Sequence, residues 1–228
     1  MTSHTIKLIE KTMLTDSVMQ LIFTKPNNFT FHAGQFVQFL IPEGEKTHKR
    51  AYSIASAPKS KSLVFLAKLW PNGKASELFE HIQPGELSTI SSPLGHFTKT
   101  EDSNSIFIAT GTGITPILSM ITDDLCNKKT TKEIRLLLGF RSESDMFSQQ
   151  ELYALSDKHK NFSVDITLSQ PKAAQWAGLK GRVTAHISKY IATNTQYFLC
   201  GSPAMVTEVK NMLLEKDILP SHIHFEMY

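Results

Sequence analysis

The feature that most limits how this chain can fold is a change of rhythm near residue 100. Before it, short β-rich runs follow one another: Val18 to Thr24, Gln35 to Ile41, Ala51 to Ala55, Leu63 to Trp70 and Glu86 to Ser91. Pro26-Asn27-Asn28, Pro42-Glu43-Gly44 and Pro71-Asn72-Gly73 punctuate them, and one short helix fits at Ser76 to Ile82. Close-spaced strands with such turns predict a small antiparallel barrel. After residue 100, strand-like runs at Ser105–Ala109, Ile134–Gly139, Ser163–Leu168, Gln196–Cys200 and Ile223–Glu226 alternate with helical stretches. The helices are expected at Pro116–Asn127, Gln149–Asp157, Val183–Ala192 and Pro203–Lys216. That alternation predicts a parallel sheet covered by helices on both faces. Thr115-Pro116 and Ser202-Pro203 each read as an N-cap followed by a proline at the first helical position, and Ser148-Gln149-Gln150-Glu151 as a capping box. The polar stretch Thr100-Glu101-Asp102-Ser103-Asn104 marks the boundary, giving domains at 1–99 and 104–228.

Bulk properties narrow the function classes. A chain of 228 residues with a net charge of +3 lacks the strong basic excess of a nucleic-acid binder. No apolar run reaches membrane-spanning length, and Met1-Thr2-Ser3-His4-Thr5-Ile6-Lys7 lacks the apolar stretch of a signal peptide. Only two cysteines occur, Cys126 and Cys200, too few for a disulfide framework, a structural zinc or an iron–sulfur cluster. His222 and His224 share a strand face with no third ligand grouped beside them, so no metal is expected. The expectation is a monomer in a reducing cytoplasm, acting on neither nucleic acid nor membrane.

Several short motifs carry chemistry. Arg50-Ala51-Tyr52-Ser53 puts a fixed cation, a flat aromatic and a small hydroxyl on one extended segment, with Arg50 and Tyr52 on one face and Ser53 on the other. A flavin nucleotide needs these groups for its phosphates, its ring and its reactive nitrogen; an ordinary strand with one exposed arginine has the same residues. Ile106 to Pro116 reads as a buried strand, a Gly111-Thr112-Gly113 turn and a helix start that offers amides and a positive dipole end to a phosphate. It is neither a full G-x-G-x-x-G nor a P-loop. Pro71-Asn72-Gly73-Lys74-Ala75-Ser76 is a second anion cradle or a surface loop. Pro93-Leu94-Gly95-His96-Phe97 is a further glycine turn. Cys200-Gly201-Ser202-Pro203-Ala204-Met205 repeats the strand–turn–helix pattern, with Cys200 at a strand end where parallel sheets bind ligands. Phe225-Glu226-Met227-Tyr228 reads either as a placed aromatic or as a frayed end.

Taken in order, Arg-x-Tyr-Ser, Gly-x-x-Ser, Pro-Leu-Gly-x-Phe, Gly-Thr-Gly-Ile-Thr-Pro, Cys-Gly-Ser-Pro-x-Met and Phe-Glu-Met-Tyr give a chain that resembles the ferredoxin–NADP reductase family from about Ile6 to Tyr228. The resemblance implies an N-terminal Greek-key barrel that binds FAD and a C-terminal Rossmann-like domain that binds NADP or NAD. It implies that Arg50 pairs with the flavin phosphate, that Tyr52 stacks on the ring, that Ser53 lies near flavin N5, and that Gly73, Lys74, Ala75 and Ser76 hold the pyrophosphate; Ala51 and Lys68 are grouped with them. It assigns Gly111, Thr112, Gly113 and Thr115 to the nicotinamide-cofactor phosphates. Cys200, Gly201 and Glu226 line the hydride-transfer site, and Tyr228 matches an aromatic that covers a flavin face. Ser169 is followed by Gln170 where NADP-specific members often have arginine; Arg141, Lys172 or Arg182 remains to meet a 2′-phosphate. The implied activity is electron exchange between NAD(P)H and a separate carrier, a ferredoxin or flavodoxin. A reductase component of an oxygenase, a free-flavin reductase and a non-catalytic redox-sensing subunit are the alternatives.

Overall fold

The computed structural model describes residues 2–228. The chain forms two compact units, one comprising residues through Lys99 together with Leu118–Asn127, the other Thr100–Ile117 with Lys128–Tyr228.

The first unit is a six-stranded antiparallel barrel built from β1 (Ser3–Thr15), β2 (Val18–Thr24), β3 (Phe36–Glu43), β4 (Lys46–Ser53), β5 (Ser62–Lys68) and β6 (Leu87–Ser91). Their spatial order is β4-β3-β6-β1-β2-β5. The late strand β6 returns to lie between β1 and β3, the crossing connection expected of a Greek-key barrel. Beyond β4 the chain comes back to β5, where the Ala55 N–H donates to the Val64 carbonyl at 2.8 Å. The interior holds Leu21, Phe23, Val37, Phe39, Leu63, Phe65 and Ile90, all fully buried. Phe39 sits centrally, with the rings of Phe23, Phe65 and Phe79 at 5.7, 5.1 and 5.0 Å. Each such ring contributes about 1.5–3 kcal/mol by leaving water. Helix α1 (Lys74–His81) closes one end by burying Ala75, Ser76 and Phe79. Two links tie Leu118–Asn127 into this unit. The Ser119 hydroxyl donates to the Ser56 carbonyl at 2.7 Å, and Lys99 Nζ meets Asp124 Oδ2 at 2.6 Å with both side chains buried.

Two expectations for this half need correction. β1 was not anticipated, because only Ile6 and Leu8 of its 13 residues are buried and its polar side chains face outward. β4 begins at Lys46 rather than Ala51; its first five residues are solvent-facing, so no apolar alternation marks them.

The second unit is a parallel sheet of β7 (Asn104–Thr110), β8 (Ile134–Phe140), β9 (Phe162–Leu168), β10 (Leu179–Lys180), β11 (Thr195–Gly201) and β12 (Ile223–Met227), in the order β10-β9-β8-β7-β11-β12. The central strands β7, β8 and β11 are almost wholly buried, as a sheet covered on both faces requires. Ile108, Leu137, Tyr197, Leu199, Val206, Val209 and Leu213 form one core layer. On the other face Phe107, Phe198 and His224 stack at 5.1 and 4.8 Å.

The helices are α2 (Ile114–Thr122), α3 (Gln149–Lys158) and α4 (Pro203–Leu214). Ser202 caps α4 as expected, accepting from the Met205 N–H at 3.4 Å. α2 differs from expectation. It starts at Ile114, directly after a 3₁₀ turn at Gly111–Gly113, and passes into a π-helical turn at Asp123–Lys128. Pro116 is therefore its third residue, and Thr115 lies inside it rather than capping it. The missing Pro116 N–H leaves the Thr112 carbonyl without its usual helical donor. Ser148 adopts a left-handed conformation (φ 59°) and makes no capping bond. The capping box instead forms upstream, between Ser142 and Asp145. Val183–Tyr190, expected as α-helix, is 3₁₀. No helix among the described residues is long and apolar enough to cross a membrane.

Candidate active site

In the first unit, β4 presents Arg50, Ala51, Tyr52 and Ser53 opposite Phe39, Gln38, Val37 and Phe36 of β3. Arg50 is exposed, and its Nη1 donates to the Lys49 carbonyl at 3.0 Å. No carboxylate pairs with it among the described residues. The nearby Glu43 is held instead by Lys74 and by His48, the latter at 2.5 Å, and these contacts keep its carboxyl below the usual range. Tyr52 is half-buried, wedged edge-on against Phe39 and Phe79 at 5.6 and 5.0 Å. Burial pushes its hydroxyl up to about 12, with Arg50 opposing. This packing fixes the plane of the ring and leaves it uncharged at neutral pH.

The turn before α1 is set by Asn72 in a left-handed conformation (φ 60°) and by Gly73 at the N-cap, which has no side chain to cap with. The amides of Lys74, Ala75 and Ser76 therefore head the helix without a protein acceptor among the described residues. Ser76 itself turns inward: its Oγ accepts from the Trp70 N–H at 2.8 Å and fixes the turn. Sequence reasoning missed Trp70. Its ring is 62% exposed, with Lys68 Nζ 4.8 Å from its centroid. With Met13, Met19, Asn72 and Lys74 it lines a groove of about 790 Å³. The available signal was a large aromatic directly before a Pro-Asn-Gly turn. Three amides without a protein acceptor among the described residues and a guanidinium paired with no carboxylate there suit the diphosphate of FAD.

In the second unit the carboxyl ends of β7, β11 and β12 converge. Gly111 has φ +54°, and no other part of the chain lies within 4 Å of where a side chain would stand, so the turn is open to a ligand. Gly113 is the reverse: a methyl there would lie 2.2 Å from the Cys200 carbonyl, so only glycine allows β11 to come this close. The Thr112 carbonyl, freed by Pro116, accepts from Thr115 Oγ1 at 2.7 Å and from the Tyr228 hydroxyl at 2.6 Å. The Tyr228 N–H reaches the Gly201 carbonyl at 3.4 Å. Cys200 and Glu226 pair across β11 and β12. Burial raises the Cys200 thiol to about 12, which keeps it neutral and a poor nucleophile. Burial also raises Glu226 to about 7, and its Oε2 is enclosed without a hydrogen-bond partner among the described residues. Tyr228 is exposed along its flank, but its enclosed hydroxyl ionises well above the ordinary value. An open glycine turn and an unpaired buried carboxyl at the strand ends suit a dinucleotide with a polar headgroup. Arg141 lies further along the sheet, beyond β8, where its Nε donates to Gln170 Oε1 at 2.9 Å.

Residues 5–99 match the oxidoreductase FAD-binding domain, and residues 107–211 the oxidoreductase NAD-binding domain. Ferredoxin–NADP reductase B of Sorangium cellulosum is 33% identical over 236 residues, covering 97% of this chain and 96% of that protein. The anthranilate 1,2-dioxygenase electron transfer component of Acinetobacter baylyi is also 33% identical, over 203 residues. There the match covers 87% of this chain but 58% of the relative. A ferredoxin NADP+ reductase from Neisseria gonorrhoeae with bound FAD and NADP superimposes with a TM-score of 0.87 at 23% identity, over 99% of this chain and 98% of that one. An FAD-binding domain followed by an NAD-binding domain, matched nearly end to end by a reductase, makes this chain a flavin oxidoreductase of the ferredoxin–NADP reductase family.

Proposed function

We propose that the protein carries electrons between NAD(P)H and a separate one-electron carrier, a ferredoxin or a flavodoxin. The observation that carries this reading is the near full-length similarity to ferredoxin–NADP reductase B. FAD, when bound, would supply the exchange between two-electron and one-electron chemistry. The chain supplies position and electrostatics. Arg50 and the Lys74, Ala75 and Ser76 amides would hold the diphosphate; Gly73 lets the chain turn into them, and Lys68, over the Trp70 ring, would add positive charge. Tyr52 would give the ring a fixed face and Ser53 would offer it a hydroxyl, while Ala51 spaces Tyr52 from Arg50 along β4. Gly111, Thr112, Gly113 and Thr115 form the turn that receives the nicotinamide dinucleotide. Cys200, Gly201, Glu226 and Tyr228 shape its reacting end. The Cys200 thiol stays protonated, so its work is packing and orientation rather than nucleophilic attack. Glu226, raised by burial to about 7, would be able to hold or release a proton at the carboxyl end of the sheet.

A second reading, reductase component of an oxygenase, is favoured by the similarity to the anthranilate dioxygenase component and, at 28% identity over 99% of this chain, to a naphthalene 1,2-dioxygenase system reductase of Pseudomonas putida. A scarcity of cysteine fits a monomer working in a reducing cytoplasm. One experiment tests the proposal. The purified protein should be yellow and should bleach anaerobically with NADPH or NADH. Adding ferredoxin or flavodoxin should then restore the colour. Nucleotide binding without bleaching would refute the enzyme, and reoxidation only by an oxygenase partner would establish the second reading.

A further inference from the structure

Helix α1 is anchored to the barrel differently at its two ends. Its second turn is held by packing, the Phe79 ring lying 5.0 Å from both Phe39 and Tyr52. Lys11 Nζ of β1 secures the same half, donating to the Phe79 and Glu80 carbonyls at 3.3 and 2.7 Å. The first turn has no apolar anchor of this kind. There Lys74 Nζ donates to Glu43 Oε1 at the end of β3. The second oxygen of that carboxylate, Oε2, meets His48 Nε2 of β4 at 2.5 Å. An ionised carboxylate only accepts, so both neighbours donate to it, and one side chain joins two strands to a helix.

The register places this junction. Val37, Phe39, Ile41 and Glu43 of β3 lie opposite Tyr52, Arg50, His48 and Lys46 of β4. Opposed residues share a face, and so do alternate ones. Tyr52, Arg50, His48 and Glu43 therefore stand on one side of the hairpin, the side on which Phe79 packs. The amides of Lys74, Ala75 and Ser76 head the helix at the residue that Glu43 holds. Gly73 caps that end with no side chain, and the Ser76 Oγ bond to the Trp70 N–H ties the turn to itself rather than to the strands.

We infer that Glu43 is a positioning residue for the diphosphate of FAD: it ties the first turn of α1 to the β3–β4 hairpin and so fixes the gap between the Arg50 guanidinium and the helix amides. The inference rests on the reading that this cradle holds the cofactor. It adds a carboxylate, a group of the wrong charge to bind a phosphate itself. Charge alone gives the opposite sign, since removing an anion beside an anion site tightens binding. Loss of positioning loosens it, because the two halves of the cradle are no longer pre-organised. The tie is an exposed ion pair with one further hydrogen bond, so its effect is modest, about 2- to 5-fold.

Dissociation of FAD from the loaded protein on dilution, followed by flavin fluorescence, tests this. Glu43→Gln should speed release by about 2- to 5-fold, and Lys74→Met by the same factor. The double variant should match either single one, since one tie is broken only once. Rebinding to the flavin-depleted protein supplies a second readout. Glu43→Gln should weaken FAD by a similar factor and leave riboflavin, which has the ring but no phosphate, unchanged. Unchanged or slower release from Glu43→Gln would overturn the inference. So would additive effects in the double variant, which would mean that Lys74 meets the phosphates directly, or an equal loss of riboflavin, which would mean a general loosening of the barrel. A native protein that takes up no FAD would remove the underlying reading as well.

Discussion

The Tyr228 hydroxyl donates to the Thr112 carbonyl at 2.6 Å, tying the end of β12 to the glycine turn after β7. That carbonyl is available because residue 116 is proline. A dinucleotide that uses the whole turn competes with this phenol. Tyr228→Phe should lower KM for the nicotinamide nucleotide by about 2- to 10-fold, the equivalent of one neutral hydrogen bond. Unfolding should lose a similar free energy, about 0.5–1.5 kcal/mol, because the same hydrogen bond is missing from the folded state. Steady-state kinetics and a melting curve on the same preparation check both.

Glu226 gives a stability dependence of defined sign. Its folded value of about 7 lies above the unfolded one, so the fold binds the proton more tightly than the open chain does. The neutral form's advantage is complete below about pH 4.5 and is lost as pH rises through 7. Glu226→Gln, which cannot ionise, should match the native protein at pH 4.5. At pH 8 it should be more stable by about 1–2 kcal/mol, after allowance for solvent screening. Urea unfolding at the two pH values measures the difference; equal gains at both would show that ionisation is not the cause.

Lys99 and Asp124 face one another at 2.6 Å, each with 3% of its side chain exposed. Removing one partner strands the other charge in the interior. Lys99→Ala should cost about 3–5 kcal/mol. In a double-mutant cycle with Asp124→Ala, the combined loss should fall short of the sum by more than about 1 kcal/mol. Additive losses would mean that the two charges do not support one another.

Arg50 has no carboxylate partner among the described residues, so its replacement should remove an interaction with bound cofactor rather than an internal ion pair. Arg50→Ala should weaken FAD retention by about 10- to 100-fold, as expected for a charge-assisted pair, with little change in the apoprotein's melting temperature. Flavin fluorescence on dilution reports this directly. Full occupancy in the variant would remove Arg50 from the phosphate site.

Much of this architecture is legible in the sequence where burial and periodicity coincide. β7, β8 and β11 announce themselves because both of their faces are covered. β1 does not, since its outward side chains include Lys7, Glu10, Lys11 and Thr12 and its inward ones are few. Val183–Tyr190 has the apolar spacing of a helix, with Val183, Ile187 and Tyr190 buried, but that spacing does not distinguish an α-helix from a tighter 3₁₀ winding. The two serine caps illustrate a further gap. Ser148 and Ser142 each precede an acidic residue by three positions, and only the backbone decides which one folds into a cap. Among the proposed site residues, the glycine turns and Arg50 stand in short motifs that the sequence displays. The Arg141–Gln170 contact depends on the β8–β9 alignment, which no local pattern reveals.

Pro116 touches no ligand in any of these assignments, yet it governs one that does. An alanine there would bring a hydrogen into the first turn of α2, and that hydrogen would compete for the oxygen now held by Tyr228. The helix would gain a rung while the aromatic lost its mooring. A substitution usually classed as helix-strengthening would thus be felt as altered nucleotide handling.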